Sequence, residues 1–248
     1  MKEIISDNYS IWIGENSLSR LAISSYSKVA ILVDENTKKD CLNKLPKFDN
    51  SIIIEIKSGE ENKNINTCNF IWKQLTKNNF DRNSLLINLG GGVIGDMGGF
   101  CASTYKRGIS FIQIPTTLLA MVDACVGGKL GIDFNGLKNQ VGLFNNPKTV
   151  LINPDFLTTL PRNQLLSGFA EVVKHALISD NNFWKQLTST PFDSLDWEEI
   201  ILTSIQIKNK IVLADPLEIG DRKKLNFGHT FGHAIESYYL EEGTPILH

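Results

Sequence analysis

The chain has almost no net charge and contains no long apolar run. Its 248 residues include 25 basic and 27 acidic side chains, which leaves a formal charge of −2. Without an excess of positive charge, we expect no partner among nucleic acids or acidic membrane surfaces. No apolar run approaches the ~20 residues of a membrane-spanning helix, and the N-terminal MKEIISDNYS has no apolar segment typical of secretion signals.

Cysteine and histidine are both scarce, with four of each. Cys41, Cys68, Cys101 and Cys125 are far apart and form no CxxC pair. Disulfide frameworks and zinc knots use closely spaced cysteines, so we expect free thiols in a cytoplasmic protein. Three of the four histidines fall within the last twenty residues, which makes that segment a candidate for metal chemistry.

Strand-like and helix-like segments alternate in the first part of the chain. The runs KVAILVDENT, SIIIEIKSGEENKN, SLLINLGGG and ISFIQIPTT each begin with apolar, strand-forming residues. This alternation predicts a mostly parallel, Rossmann-like α/β sheet. After VLINPDFLTTLP the periodicity becomes helical, as in RNQLLSGFAEVVKHALIS and WEEIILTSIQIKNKIVLAD. The sequence therefore predicts an N-terminal α/β domain, residues 1–154, followed by an all-α C-terminal domain, residues 155–248.

A glycine-rich segment, LGGGVIGDMGGF, follows one predicted strand and opens a predicted helix. Glycines there let backbone N–H groups approach a pyrophosphate at the positive end of a helix. The spacing differs from GxGxxG, so the segment fits nucleotide binding and a closely packed turn equally well. Both interpretations stay open on this segment alone.

Polar residues follow glycines again in IPTTLLAMVDACVGGKLGIDFNGLKNQ. Asp123 lies about two turns into a predicted helix, Lys129 follows a Gly-Gly pair, and Lys138 and Asn139 follow another glycine. Lysines beside a nucleotide-binding cleft suit phosphate or carboxylate groups. Solvated surface charges are the alternative, and the clustering favours a functional site.

Two histidines stand four residues apart in LNFGHTFGHAIE, so His229 and His233 share one face of a predicted helix. With Glu171 from GFAEVVKHALIS and His248, they provide enough ligands for a zinc site with three protein ligands. Packed or surface histidines explain most HxxxH pairs, however. Glu171 has its own alternative partner, Lys174, one helical turn away.

Together these segments resemble the 3-dehydroquinate synthase family. The matching pieces, from the glycine segment to the last residue, are GGGVIGD, RGISFIQIPTTLLAMVDACVGGK, GLKNQVG, FAEVVKHALISD, DRKKLNFGHTFGHAIE and the closing LH. The resemblance implies an NAD-binding α/β domain, a helical domain and an active site between them. It also implies a phosphorylated sugar acid as substrate, catalytic NAD, a divalent metal (Zn²⁺ or Co²⁺) and a homodimer.

The resemblance also implies a role for individual residues. The metal ligands would be Glu171, His229 and His248. The positions implied for NAD are Asp34, Asn36, Glu60, Lys63, Gly91, Gly92, Val93, Asp96, Thr116, Thr117, Asp123, Lys129, Lys138, Thr159 and Gln164. The positions implied for the substrate are His233, Lys129, Lys174, Lys208, Arg222, Asn226, Asn139 and Arg107, the last from a partner subunit.

The implied substrate is 3-deoxy-D-arabino-heptulosonate 7-phosphate. Its C5 hydroxyl would be oxidised transiently, phosphate would be eliminated, the hydride would return and an aldol step would close the carbocycle. NAD would therefore not be consumed. The cationic residues suit a substrate that carries both a carboxylate and a phosphate, and His233 suits a proton shuttle near neutral pH.

Some features depart from the family pattern. Ala124 and Cys125 stand where serines are common, and Gln164 stands where a glutamate is common. We expect these changes to tune cofactor affinity without abolishing function. The family continues beyond the closing LH, so we expect a fragment that by itself binds zinc poorly and is inactive.

Other functions remain open on the sequence. A related sugar phosphate cyclase, making an inosose or a valiolone, would share the metal ligands and differ in its substrate pocket. A metal-dependent polyol or alcohol dehydrogenase would produce NADH. A degenerate paralogue would bind neither zinc nor NAD. Lys208 and Arg222 favour a substrate with a carboxylate, so dehydroquinate formation is the first choice.

Overall fold

The computed structural model describes residues 1–48 and 51–244. The strands are β1 (Lys2–Ile5), β2 (Ser10–Ile13), β3 (Val29–Asp34), β4 (Ser51–Ile56), β5 (Leu85–Gly90), β6 (Ser110–Pro115), β7 (Lys129–Phe134), β8 (Leu137–Phe144) and β9 (Thr149–Ile152). The helices are α1 (Glu35–Asp40), α2 (Ile65–Lys77), α3 (Gly92–Thr104), α4 (Arg162–Ser179), α5 (Asn181–Ser189), α6 (Trp197–Ala214) and α7 (His229–Glu241). Within the described ranges, no helix is long and apolar enough to cross a membrane.

The strands other than β7 and β8 form one sheet in the order β1-β2-β9-β6-β5-β3-β4. β1 pairs antiparallel with β2, and the other described neighbours in this sheet are parallel. The central strands β3 and β5 read VAILVD and LLINLG and are almost wholly buried, as expected for parallel strands covered on both faces. The prediction of a mostly parallel α/β sheet is therefore confirmed.

β7 and β8 form an antiparallel hairpin that the sequence pattern did not predict. Its turn residues, Asn135 and Gly136, have positive φ angles of 50° and 78°. Asn-Gly favours this backbone conformation in two-residue hairpin turns. The sequence FNGL is therefore the local pattern that indicates this hairpin. The hairpin is compatible with ligand binding, because Asn139 lies on β8.

One hydrophobic core continues from the sheet into the later helices. It joins Ile87 of β5 and Val150 of β9 to Phe156, to Val172 of α4 and to Ile205 of α6, all at most 4% exposed. The neighbouring residues on the strands point to the opposite face and form a second core with α2, α3 and the hairpin. All four cysteines are buried as free thiols. The boundary at residues 154 and 155 stays a prediction.

Glycines in the middle of α3 allow this helix to lie directly on the sheet. A Cβ atom on Gly98 would overlap Asn88 Oδ1 and would lie 2.8 Å from Leu32 Cδ2. On the opposite side, a Cβ atom on Gly99 would overlap the side chain of Leu130 in the hairpin. The Gly-Gly pair therefore sets how closely α3 packs between the sheet and β7.

We expect Gly98→Ala to destabilise the fold by about 1–3 kcal/mol, because overpacking outweighs the helix propensity that alanine adds. Gly232→Ala in α7 is the matched control, since no described atom lies within 4 Å of an added Cβ there. The measurement is the free energy of urea unfolding of both variants. Equal stability for Gly98→Ala and the unsubstituted chain would show that α3 can shift away from the sheet.

Candidate active site

A buried lysine joins residues from separate elements beside the sheet. Lys63, whose side chain is 5% exposed, donates from Nζ to Asp96 Oδ2 on α3 and to Asn139 Oδ1 on β8, both at 2.7 Å. Glu60 Oε1 lies 3.9 Å from the same Nζ. Burial acts to lower the pKa of Lys63, but Asp96 and Glu60 outweigh burial and raise it. The structure thus brings together four residues singled out from the sequence.

The glycine-rich turn connects β5 to the amino end of α3. Gly91 is the N-cap and Gly92 is the first helical residue, and no described side chain caps this end. A Cβ atom on Gly91 would lie 3.1 Å from Thr117 Cγ2, and one on Gly92 would lie 3.5 Å from Ala124 Cβ. The N–H of Thr116 donates to the last carbonyl of β5 at 3.0 Å. Backbone N–H groups at such a helix end suit a phosphate group.

Further residues implied for NAD lie at the ends of neighbouring strands. Val93 stands in the first turn of α3, which follows β5. Asp34 ends β3, which pairs in parallel with β5, and its Oδ1 accepts the N–H of Thr37 at 2.8 Å. Asn36 lies in the first turn of α1, which Asp34 caps. These residues share the carboxyl edge of the sheet, where open α/β folds bind ligands.

Asp123 stands on a π-helical turn, Ala120–Ala124, that follows β6. Lys208 Nζ on α6 donates to Asp123 Oδ1 at 2.7 Å and to the backbone oxygen of Asp123 at 2.5 Å. Burial acts to raise the pKa of Asp123, but Lys208, Lys174 and His175 outweigh it and lower the pKa. Asp123 is therefore a carboxylate in a cationic, buried environment.

α4 presents Glu171, Lys174 and His175 to the same place. Lys174 Nζ forms a short ion pair with Glu171 Oε2, and both side chains are buried. Burial and the Asp123 carboxylate raise the pKa of Glu171, although Lys174 opposes them. Ligand atoms of Asp123, Glu171 and His175 all lie within 4.8 Å of one another. Two carboxylates and an imidazole form a donor set that suits a divalent cation.

His175 is completely buried and was not among the sequence-predicted ligands. Its Nδ1 lies 2.6 Å from Ser204 Oγ on α6. Its Nε2 lies 4.0 Å from Asp123 Oδ1 and has no hydrogen-bond partner among the described residues. Burial lowers the pKa of His175 to about 3, so the imidazole is neutral at physiological pH. The Glu-x-x-x-His spacing from Glu171 was the available sequence signal.

A third group of charges surrounds the segment between α6 and α7. Lys129 Nζ lies 2.5 Å from Glu218 Oε2, and Asn226 Nδ2 donates to Glu218 Oε1 at 3.0 Å. Arg222, only 1% exposed, donates from its guanidinium to the backbone oxygen of Gly127 at 2.9 Å. The structure thus joins three predicted substrate residues. Sequence reasoning missed Glu218, since its ion-pair partner Lys129 is distant along the chain.

For some predicted residues, the described contacts show no hydrogen bond or ion pair to these groups. Thr159 ends a short 3₁₀ helix before α4, and Gln164 stands in the first turn of α4. Arg107 is exposed just beyond the carboxyl end of α3, with a left-handed φ of 67°. Because α3 has 13 residues, Arg107 lies about 20 Å along the helix from the glycine turn.

The predicted histidine ligands are only partly described. His229 is the first residue of α7 and is partly buried. His233 lies on α7, but its side chain, like all of His248, falls outside the described residues. On β8, Lys138 Nζ contacts Glu236 Oε2 of α7 at 2.9 Å, which connects the hairpin to the histidine-bearing helix. The set Glu171, His229 and His248 therefore stays a prediction.

Comparisons with known proteins cover most of the chain. The 3-dehydroquinate synthase N-terminal model matches residues 53–167, and the C-terminal model of that family matches residues 168–248. The chain is 47% identical to the 3-dehydroquinate synthase of Parabacteroides distasonis, with 92% of this chain and 66% of that protein covered. It is 43% identical to that of Clostridium botulinum, with 96% and 73% covered. The chain belongs to the 3-dehydroquinate synthase family.

Relatives in the 3-dehydroquinate synthase family are longer than this chain. The chain spans 66% of the length of the synthases from Parabacteroides distasonis and Prochlorococcus marinus. Among solved structures, 2-deoxy-scyllo-inosose synthase, complexed with carbaglucose-6-phosphate, NAD⁺ and Co²⁺, superposes with a TM-score of 0.83. It is 25% identical, with 96% of this chain and 70% of that chain covered. Membership of the 3-dehydroquinate synthase family thus agrees with the fold.

The buried neutral imidazole of His175 predicts a pH dependence of stability. The pKa of His175 is about 3 in the folded chain, whereas a histidine in an unfolded chain has the ordinary value of 6.5. Between these two pH values, the unfolded chain therefore binds one proton more than the folded chain. Stability should therefore fall as the pH drops through this window. We expect a loss of about 2 kcal/mol between pH 7 and pH 5 from this residue.

The measurement is urea unfolding with a chelator at both pH values, for the unsubstituted chain and for His175→Gln. The other three histidines are common to both, so the difference isolates His175. The variant should lose about 2 kcal/mol less than the unsubstituted chain on acidification. An identical pH dependence for the two proteins would contradict a neutral, buried His175.

Proposed function

We propose that the protein is a 3-dehydroquinate synthase, which converts 3-deoxy-D-arabino-heptulosonate 7-phosphate into 3-dehydroquinate and phosphate. The observation that carries this proposal is the convergence of buried and partly buried charged residues from α3, α4, α6 and the π-helical turn, which Lys63 connects to Asn139 of β8. Residues 1–154 would supply the cofactor site, and residues 155–248 would supply most of the metal and substrate residues. We place the reaction in the cytoplasm.

The residues present fit NAD. The uncapped amino end of α3 offers backbone N–H groups, and a side chain at Gly91 would crowd Thr117. Lys63 and Asp96 form a buried pair immediately beside this turn, and Asp34 stands at the neighbouring strand end. The adjacent strand ends would therefore hold the dinucleotide.

The residues present also fit a divalent metal ion, Zn²⁺ or Co²⁺. In the proposed ligand set, Glu171 of α4 acts with His229 and His248. Support comes from the donor set around Glu171, which includes the Asp123 carboxylate and an unpartnered nitrogen of His175. When bound, the metal would supply Lewis-acid polarisation of a substrate hydroxyl, and NAD would supply reversible hydride transfer.

The chain's own residues would bind and orient the substrate. Lys129, Lys174, Lys208 and Arg222 provide cationic groups for its carboxylate and phosphate. Three of them are almost completely buried, at 6%, 5% and 1% exposure for Lys174, Lys208 and Arg222. Glu171 pairs with Lys174 and Asp123 pairs with Lys208, whereas Arg222 donates to the backbone oxygens of Gly127 and Pro216. Burial lowers the pKa of Lys208, which eases proton transfer from its ammonium group.

We also propose a homodimer. Arg107 is exposed just beyond the carboxyl end of α3, and among the described residues no hydrogen bond or ion pair joins it to the other candidate substrate residues. Its exposed guanidinium would instead reach the substrate phosphate of the partner subunit. Lys106 and Arg107, just after the end of α3, both have left-handed backbone conformations.

A related sugar phosphate cyclase is the second candidate. The TM-score of 0.83 with 2-deoxy-scyllo-inosose synthase favours it. Its substrate analogue, carbaglucose-6-phosphate, is a sugar phosphate without a carboxylate. The buried Arg222 suits a carboxylate, and the closer relatives are 3-dehydroquinate synthases, so we keep dehydroquinate formation first.

The complete gene product should release phosphate from the heptulosonate phosphate with substoichiometric NAD and added zinc. Absorbance at 340 nm should not rise during the reaction, because the hydride returns within each cycle. A chelator should abolish phosphate release, and zinc should restore it.

Each alternative function gives a different result in this assay. Accumulation of NADH until the added NAD is exhausted would identify a dehydrogenase. Phosphate release from glucose 6-phosphate or a simple heptulose phosphate, and not from the heptulosonate, would identify a related cyclase. Absence of turnover with all of these substrates would reject the proposed function.

The metal ligands can be separated by substitution. We expect Glu171→Gln and His229→Ala to lower zinc affinity by more than about 100-fold, because each removes a direct ligand. His175→Gln should leave the affinity near that of the unsubstituted protein. The measurement is the zinc content of the complete protein by mass spectrometry, after dialysis against graded chelator. Loss of zinc in His175→Gln with retention in His229→Ala would replace the proposed set with Asp123, Glu171 and His175.

A further inference from the structure

One carboxylate holds together the loop that carries two of the candidate substrate residues. Asp215 is the C-cap of α6. Its Oδ1 accepts the N–H of Ile219 at 3.0 Å, and its Oδ2 accepts the N–H groups of Gly220 at 2.7 Å and Arg222 at 3.0 Å. A carboxylate that accepts three backbone N–H groups fixes the path of the chain between them.

Two side chains of this loop, Glu218 and Arg222, contact residues of the candidate site. Glu218 contacts Lys129 at 2.5 Å and accepts a hydrogen bond from Asn226 at 3.0 Å. Arg222 donates to the backbone oxygens of Gly127 and Pro216. The loop therefore sets the position of one carboxylate and one guanidinium within the third group of charges.

Glu218 stands in a backbone conformation that glutamate rarely adopts. Its φ angle is +60°, in the left-handed region where a Cβ atom is unfavourable. Such a conformation persists only when the surrounding contacts impose it. The N–H groups of the next two residues are the ones bound by Asp215, so this carboxylate is the nearest source of that constraint.

We propose that Asp215 is a positioning residue, which presets the loop so that Glu218 orients Lys129 and Arg222 is held in the substrate cleft. This inference rests on the proposed function, because those residues are assigned to the substrate there. Asp215 itself contacts backbone groups and no candidate substrate residue's side chain among the described contacts.

The test compares Asp215→Asn with Asp221→Asn in the complete protein loaded with NAD and zinc. An asparagine keeps the size of the side chain but has only one acceptor oxygen. It therefore cannot accept the N–H of Ile219 as well as those of Gly220 and Arg222. Asp221 is the matched control, because it lies in the same loop, is 73% exposed and pairs with Lys224 on the surface.

We expect kcat/KM for the heptulosonate phosphate to fall 10- to 100-fold in Asp215→Asn, mainly through KM. Asp221→Asn should remain within twofold of the unsubstituted protein. A merely structural role would lower the amount of folded protein and leave the KM of the active fraction unchanged. Unchanged KM in Asp215→Asn therefore overturns the proposal.

A double substitution tests whether Asp215 acts through Glu218. If it does, Asp215→Asn should cause a smaller loss in the Glu218→Gln protein than in the unsubstituted protein, because one of the two positioned groups is gone. Losses that multiply would show that Asp215 acts independently of Glu218, and would overturn the proposed route.

Hydrogen exchange separates failure of this inference from failure of the proposed function. The amides of Ile219, Gly220 and Arg222 should exchange at least tenfold faster in Asp215→Asn and unchanged in Asp221→Asn. If the unsubstituted protein shows no turnover, the proposed function fails, and this exchange still decides whether Asp215 holds the loop. Unchanged exchange in Asp215→Asn overturns the inference whatever the activity.

Discussion

Charged groups buried between the sheet and the helices impose the constraint on which the rest of the structure depends. Lys63, Glu171, Lys174, Lys208 and Arg222 are each at most 6% exposed. An unmatched charge in such a place would cost several kcal/mol. Glu171 and Lys174 pair with each other on α4, and the other partners come from separate elements: Asp96 from α3, Asp123 from the π-helical turn, and backbone oxygens from nearby loops. Buried ion pairs are a weak source of net stability, so this density of pairs is better explained by substrate chemistry.

The parallel sheet provides the geometry in which these partners can meet. β3, β5 and β6 end at the same edge, and their continuations are α1, the glycine turn and the π-helical turn. Gly98 and Gly99 let α3 lie close enough to the sheet for Asp96 to reach Lys63. The later helices pack on the opposite face through one continuous core, which places α4 and α6 against Asp123. A cofactor edge and a cationic pocket thus become adjacent.

The sequence predicted the sheet and most participants in the site, but not their partners. Continuous apolar runs such as VAILVD mark buried parallel strands, and a resemblance spread over many segments placed Lys63, Asp96 and Asn139 in one site. Glu218 and His175 were missed because their roles depend on residues that are brought close only by the tertiary fold. Glu218 forms an ion pair with Lys129, and His175 Nε2 has no hydrogen-bond partner among the described residues. The periodicity of the sequence does not indicate either feature. β1 and β2 were missed because they are short and pair with a strand far along the chain. The predicted ligand His248 lies outside the described residues.

The strand order has a consequence for how the chain is made. β2 pairs with β1 and with β9, as in Ile11 opposite Val150, and an isolated two-stranded ribbon is at best marginally stable in water. During synthesis, β1 and β2 therefore wait for a docking strand, β9, that emerges more than a hundred residues later. Asn209 of α6 also donates to the backbone oxygen of Ile5, so the amino terminus is closed by one of the later helices. β1 and β2 are thus translated well before they can become native, which leaves the edge of β2 open to chaperones and to aggregation in the interval.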